Sequence, residues 1–285
     1  MPATAYLFPG QGSQTDAMRE EVERLRPDLL DAAVEAAGED PFARVDEDTR
    51  FAQPALLAAS LARWSTVAAP HADAFLGHSL GELAALAAAG AIADGDAVAL
   101  AAVRGRLMSR AAAKSEGGML ALLGALVGDA HRLAAEHGLT VANDNAPGQL
   151  VLAGPRDKLA VAAAAARAEG IKTMRLGVAG AFHSPAMAAV RGEWESALAD
   201  VDIDRPGTLV YSCLTGAPIA DPRAALADAL TAPVLFRQAL VELAERAAIV
   251  RFVEVGPGRV LTGLVRRTLP AARAETLELP EAIRA

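Results

Sequence analysis

The stretch Ala74-Phe75-Leu76-Gly77-His78-Ser79-Leu80-Gly81-Glu82 decides the fold of this chain. Ala74-Phe75-Leu76 is a short apolar run stopped by a glycine, so it reads as a buried strand. An Ala/Leu-rich segment from Gly81 to Ala89 follows and reads as a helix. Between them sits Gly-x-Ser-x-Gly, in the strand–turn–helix context of a nucleophile elbow. Such a turn lifts the serine hydroxyl clear of the backbone and aims the next amide, that of Leu80, at the same point. The helix that starts there presents its positive end, which favours a developing oxyanion. Ser79 is therefore the candidate nucleophile. A chance match to the motif would sit in a loop without the strand and the helix.

Outward from the elbow the texture is α/β. Tyr6-Leu7-Phe8 is a second buried strand, ended by Pro9-Gly10. Residues 18–38 have helical spacing with Pro27 inside, which predicts a break or kink there. Pro54–Ala69 reads as a helix, and Asp94 to about Lys114 as a long amphipathic one with Asp94 or Asp96 as N-cap. After residue 180 the pattern resumes. It predicts a helix over Pro185–Leu198, a strand over Thr208–Ser212, a helix over Val234–Ala248, a strand over Arg251–Val255, and a last helix ending near Thr268.

Residues 117–180 differ. They read as strand Met119–Leu126, helix Asp129–His137, strand Leu139–Asn143, a turn at Asn145-Ala146-Pro147-Gly148, strand Gln149–Ala153, helix Asp157–Glu169 and strand Lys172–Val178. The order β-α-β-β-α-β is the split ferredoxin-like pattern. The expected fold is therefore α/β, with a large body made of residues 1–116 and 181–285 and a ferredoxin-like small subdomain, residues 117–180, inserted in it.

The chain has 285 residues, of which 53% are hydrophobic and 22% charged, with a mean hydropathy of +0.25. That composition supports a sizeable core and excludes global disorder. Only 4% of residues are aromatic while alanine abounds, which favours close-packed helices over an all-β sandwich. The single cysteine, Cys213, rules out a disulfide scaffold and a cysteine-based zinc site. A formal charge of −8 argues against nucleic-acid binding as the main task. The N-terminus lacks the pattern of a secretory signal, and no apolar stretch is long enough to span a membrane. A cytoplasmic protein is the expectation.

A serine nucleophile needs a base. Of the five histidines, His78 adjoins the serine, where an elbow points neighbouring side chains apart. His131 and His137 fall on or beside a helix of the insert, at its surface, and His71 is expected in an exposed turn. His183, in Ala181-Phe182-His183-Ser184, lies where the chain returns to the body, which suits a residue projected into an interdomain cleft. Elimination selects His183. An ordinary α/β-hydrolase triad runs Ser…Asp/Glu…His with the histidine late. No histidine follows residue 183, so an ordinary lipase or esterase is disfavoured.

Arg104 is the third element. On its helix it shares the small, apolar face with Ala97, Ala101 and Met108, while Arg106 points the opposite way. An arginine so placed needs an anionic partner. Two readings stay open: a structural ion pair with Asp or Glu, or a guanidinium fork presented to a substrate carboxylate.

Together these residues resemble the malonyl-CoA:acyl-carrier-protein transacylases and the related acyltransferase domains of polyketide synthases. The resemblance spans Phe8-Pro9-Gly10-Gln11-Gly12-Ser13-Gln14, Gln53-Pro54-Ala55-Leu56, the elbow through Glu82, Arg104-Gly105 and Asn145-Ala146-Pro147-Gly148-Gln149. It continues in Ala181-Phe182-His183-Ser184 and in Glu254-Val255-Gly256-Pro257-Gly258 with Leu261-Thr262-Gly263-Leu264. It implies an α/β-hydrolase-like body with the ferredoxin-like insert, Ser79 as the acylated nucleophile and His183 as its base. It also implies an oxyanion hole from the amides of Gln11 and Leu80, and Arg104 paired with a malonyl-type carboxylate. Gln53, Phe182 and Leu235 take supporting positions. In the polyketide relatives an apolar residue after the serine and Phe before the histidine accompany malonyl, so Leu80 and Phe182 lean that way. Family members often carry Gln or Arg where this chain has Leu235. There the backbone carbonyl holds the second ring nitrogen of the histidine, which Leu235 could also supply.

The implied activity is ping-pong transfer of malonyl from CoA to the phosphopantetheine thiol of an acyl carrier protein, in fatty acid or polyketide synthesis. Malonyl-CoA and the carrier protein are the implied partners, without nucleic acid, membrane, metal or other cofactor, and with the chain a monomer. The alternatives are a discrete polyketide acyltransferase for another acyl group, the transacylase component of a malonate decarboxylase, or an acyl-thioester hydrolase.

Overall fold

The computed structural model describes residues 2–67 and 72–279. His71 lies outside the described residues. Strand β1 (Thr4–Phe8) enters the core with every residue buried. The chain then forms helices over Met18–Leu25 and Pro27–Ala37, separated at Arg26 as the proline predicts. The next helix is Thr49–Trp64, begun by the Asp48 side chain, which accepts from the Arg50 amide. Pro54 therefore lies inside this helix instead of starting it. β2 (Ala74–Gly77) pairs in parallel with β1, Phe8 opposite Gly77. Trp64, Tyr6, Phe8 and Phe75 pack edge-on or tilted, and seal the helix onto these two strands.

Helices Gly81–Ala88 and Asp94–Ala113 follow the elbow. Ala93, not Asp94 or Asp96, is the N-cap of the longer one; the Asp94 carboxylate is engaged by Arg26 at 2.8 Å. Next comes the insert: β3 (Gly117–Leu123), helix Val127–His137, β4 (Thr140–Ala146), β5 (Gln149–Pro155), helix Arg156–Ala168 and β6 (Lys172–Arg175). Its strands are all antiparallel in the order β4-β5-β3-β6. β4 runs three residues beyond the expected Asn143, so Asn145 and Ala146 are strand and the turn shrinks to Pro147-Gly148.

Back in the body, the expected helix over Pro185–Leu198 is divided into a 3-10 segment, Pro185–Val190, and an α-helix, Arg191–Ala199. β7 (Leu209–Tyr211), β8 (Arg251–Glu254) and β9 (Arg273–Thr276) complete a five-stranded parallel sheet ordered β7-β2-β1-β8-β9. The helix Pro222–Asp228 and strand β9 carry no strong pattern in the sequence: one is short, the other an alternating polar edge. In open parallel sheets ligands bind beyond the carboxyl ends of the strands. Gly10-Gln11 after β1 and Ser79 after β2 stand at that edge. Among the described residues no helix is long and apolar enough to cross a membrane.

Candidate active site

The elbow is fixed by close packing. A Cβ on Gly77 would lie 2.0 Å from the Gly81 carbonyl carbon, and one on Gly81 would lie 2.0 Å from the Phe8 carbonyl oxygen. Only glycine lets the helix start this close to β1 and β2. Ser79 is held at φ 54° and His183 at φ 55°. For residues with side chains that region costs about 1–3 kcal/mol each and persists only where the surroundings enforce it. The strain turns both side chains into one cleft.

There Ser79 Oγ lies 2.8 Å from His183 Nε2. The other ring nitrogen, Nδ1, faces the Ala232 carbonyl oxygen at 3.2 Å. A carbonyl only accepts, so Nδ1 carries the proton and Nε2 keeps its lone pair for the serine hydroxyl. The carbonyl expected from Leu235 is thus supplied by Ala232. Leu235 stands at the start of the helix Phe236–Arg246, and its own carbonyl accepts from the Ala239 amide at 3.0 Å. His183 is 4% exposed. Burial, and then the nearby Arg104 and His78, push its pKa down to about 3, so the ring is neutral and able to accept a proton across the physiological range.

Arg104 is 3% exposed and reaches the same point from the Asp94–Ala113 helix. Its Nη1 donates to Gln53 Oε1 at 2.9 Å and its Nη2 to Ser79 Oγ at 3.2 Å. Among the described residues no carboxylate forms an ion pair with it, so the structural ion-pair reading fails. Burial lowers its pKa to about 10, partly offset by Glu82, and it stays a cation at neutral pH. Arg106 points outward and bonds the Ala36 carbonyl at 2.7 Å.

Gln53 extends the network. Its Nε2 donates to Thr49 Oγ1 at 2.9 Å, and the Thr49 hydroxyl donates to Gln11 Oε1 at 2.8 Å. The loop bearing Gln11 is thereby tied to the arginine. Gly105 permits this: a Cβ there would stand 2.8 Å from the Thr49 carbonyl oxygen, so the two helices can touch. Sequence reasoning missed Thr49, whose only sign is its position one turn before Gln53.

The cleft measures about 360 Å³. On the body side it is lined by Gln11, Ser79, Leu80, Arg104, Phe182 and His183; across it lies the apolar face of the small sheet, including Met119, Ala121 and Val151. Leu235 is not in this lining. His78 turns away from the serine, as expected, and its Nε2 lies 2.8 Å from Asn145 Oδ1 of β4. His131 is exposed and His137 half-buried on the helix of the insert. A larger hollow of about 470 Å³ between residues 12–19 and 42–47 has no such constellation, and its Arg19 and Arg44 are already paired with carboxylates.

Beneath the elbow, Glu82 is wholly buried. Its Oε1 accepts from the Cys213 amide at 3.0 Å, and its Oε2 has no hydrogen-bond partner. Burial raises its pKa to about 7, against the pull of the nearby Ser212 hydroxyl, the Cys213 amide and the charge of Arg104.

Comparison with known proteins places the whole chain. Residues 5–281 match the family model described as the acyl transferase domain. A polyketide biosynthesis protein, ThaF of Burkholderia thailandensis, is 39% identical over 284 residues; the match covers 93% of this chain but only 24% of ThaF. The malonyl CoA-acyl carrier protein transacylase of Bacillus subtilis is 34% identical, with 98% of this chain and 96% of that protein covered. A solved complex of a type II polyketide synthase acyl-carrier protein with its malonyl-transacylase aligns at a TM-score of 0.91 and 29% identity, covering 99% of this chain and 98% of that one. A family match of this extent, joined to near full-length likeness in sequence and fold, admits one conclusion: the chain belongs to the acyl transferase domain family, with the malonyl-CoA–acyl carrier protein transacylases among its relatives.

Proposed function

We propose that this chain moves a malonyl group from CoA to the phosphopantetheine thiol of an acyl carrier protein. The observation that carries the reading is Arg104, a buried cation with no carboxylate within ion-pair distance among the described residues, bonded to the nucleophile itself. A free carboxylate two bonds from the thioester carbonyl would complete that fork.

In the first half-reaction Ser79 Oγ attacks the thioester carbonyl while His183 Nε2 takes the hydroxyl proton. The amides of Gln11 and Leu80, both in the cleft wall, would hold the oxyanion. As the intermediate collapses, the C–S bond breaks and His183 returns its proton to the leaving CoA sulfur. The carrier thiol then gives its proton to His183, attacks the acyl-serine, and restores the Ser79 hydroxyl. This cycle consumes no metal or redox cofactor. The wall of apolar strand residues over the site restricts water, which favours a thiol as acceptor over hydrolysis.

The order and antiparallel pairing of β3–β6 support the ferredoxin-like reading of the insert. We further propose that the chain acts in the cytoplasm, as a monomer, where CoA thioesters and carrier proteins meet. The likeness to ThaF favours a second reading, a malonyl donor for a polyketide carrier protein rather than a fatty acid one.

Intact-mass measurement tests the core of this. A brief exposure to malonyl-CoA should add one malonyl group, mapped to the peptide that holds Ser79 and discharged by a carrier protein. Labelling that persists in Ser79→Ala would refute it. Release of free malonate as fast as transfer would instead mark a hydrolase.

A further inference from the structure

The base is held by a segment that the small subdomain itself grips. Ala232, whose carbonyl orients His183, begins the irregular stretch Ala232-Pro233-Val234-Leu235. Nothing in that stretch is helix or strand, so its shape depends on what it bonds. Val234 pairs with the edge of β4: its amide donates to the Ala142 carbonyl at 2.8 Å and its carbonyl accepts from the Asp144 amide at 2.8 Å. β4 can offer these groups because it is the edge strand of its sheet, and its register with β5 slips on either side of them, between Val141 and Asn143 and between Asp144 and Ala146. Bulges of this kind concentrate beside active sites, where they re-aim a strand.

One side-chain pair closes the grip. Asp144, 9% exposed at its side chain, receives a bidentate pair from Arg237, Nε to Oδ1 at 2.8 Å and Nη2 to Oδ2 at 2.6 Å. Arg237 belongs to the first turn of the helix Phe236–Arg246, immediately after the stretch. The stretch is thus clamped between its own helix and the strand of the other subdomain. Neither Asp144 nor Arg237 lines the cleft.

We infer that the Asp144–Arg237 pair is a positioning device for the catalytic base: by fixing β4 against Val234 it sets the Ala232 carbonyl, and through it the ring of His183. This inference rests on the reading of Ser79 and His183 as nucleophile and base, and needs no particular acyl group. A fork bonded in two places fixes direction as well as distance, which a single contact would not. Misplacement of a reacting group by about 1 Å can cost on the order of a hundredfold in rate.

The experiment uses the full chain and a serine-directed fluorophosphonate, which needs the base but neither CoA nor carrier protein. Wild type should label at Ser79; absence of labelling there would remove the site reading itself. Given labelling, Asp144→Asn and Arg237→Gln should each slow it by roughly tenfold to a hundredfold, with kcat for malonyl transfer falling in parallel and KM for malonyl-CoA within about twofold. The double variant should be no slower than the worse single one, because both remove the same clamp. Arg237→Lys, which keeps the charge at a half-exposed position and should fold, should recover only part of the rate. Labelling at the wild-type rate in the folded Arg237→Gln and Arg237→Lys proteins would overturn the inference. So would a fall seen only in KM.

Discussion

Arg104 Nη2 and Ser79 Oγ share a hydrogen bond of 3.2 Å, so the serine oxygen accepts from the guanidinium while its own proton is left for His183 at 2.8 Å. The cation that would bind the acyl carboxylate thus also orders the nucleophile.

Arg104→Ala should therefore act on selectivity. A partly buried guanidinium–carboxylate pair broken on one side costs about 2–5 kcal/mol, roughly thirtyfold to several-thousandfold in kcat/KM for malonyl-CoA. Acetyl-CoA brings no carboxylate, so its transfer should fall far less, only by what the lost bond to Ser79 costs. Arg104→Lys should recover part, since a point charge replaces neither fork bond geometry nor the bond to Gln53. Arg106→Ala, on the outer face, is the control. Equal loss of malonyl and acetyl transfer in Arg104→Ala would count against a carboxylate fork.

His183→Ala should slow acylation of Ser79 by about two to four orders of magnitude, the range for lost general-base help. With its pKa near 3, His183 stays neutral from pH 5 to 8, so the acylation rate should show no acid limb in that interval. A clear limb near pH 6.5 would mean that the ring is solvated like a free imidazole.

Glu82 gives a stability test with the opposite sign. Its pKa is raised from 4.5 to about 7 in the folded chain, so between those values the folded state holds the proton that the unfolded state has released. Stability linked to Glu82 is fully present below about pH 4.5 and is lost as the pH rises through 7. Glu82→Gln keeps an acceptor for the Cys213 amide and carries no charge. It should nearly match wild type at pH 4 and be more stable at pH 8.5, by something on the order of 3 kcal/mol. The loss of a counter-charge to Arg104 opposes this, and urea midpoints at the two pH values measure the balance. A variant less stable at both would show that the carboxylate is needed as an ion.

The meeting of Ser79, His183 and Arg104 was legible, the serine and the arginine from patterns that local physics constrains and His183 by elimination among the five histidines. Gly77 and Gly81 cannot be replaced without a clash, and Arg104 sits on an otherwise apolar helix face. The second sheet, β3–β6, with its two helices was legible from the alternation of strand and helix periods. The carbonyl behind His183 was not, because it depends on a backbone shape set by Val234 bonding to a strand some ninety residues earlier. The ends of β4 and the partner of His78 were hidden for a related reason. Asn145-Ala146-Pro147-Gly148 has turn composition, and only tertiary pairing carries the strand to Ala146. The shift of the Thr49–Trp64 helix reflects a stronger local signal, the Asp48 cap, than the proline that suggested a later start.

Carrier-protein docking should be local. Carrier proteins of this kind are usually acidic, and a chain of charge −8 repels them at long range. Two basic groups nonetheless flank the cleft from opposite sides. Arg259 adjoins Val260 and Arg175 adjoins Met174, both apolar residues of the lining. Arg266 and Arg267 continue the first group along the helix Val260–Thr268, and Lys172 extends the second along β6. All five are exposed. Arg267 also donates to Gln149 of β5 at 2.8 Å, so part of its role is to tie its helix to the second sheet. A phosphopantetheine arm entering between Val260 and Met174 would bring its carrier against both groups. Reversing Arg259 and Arg266 to Glu should raise KM for the carrier protein and leave KM for malonyl-CoA unchanged, with a further rise when Lys172 and Arg175 are reversed as well. The effect should shrink as salt is raised, because the Debye length falls from about 10 Å at 0.1 M to about 3 Å at 1 M. If carrier KM is unmoved by reversal of both groups at low salt, docking relies on the apolar rim instead.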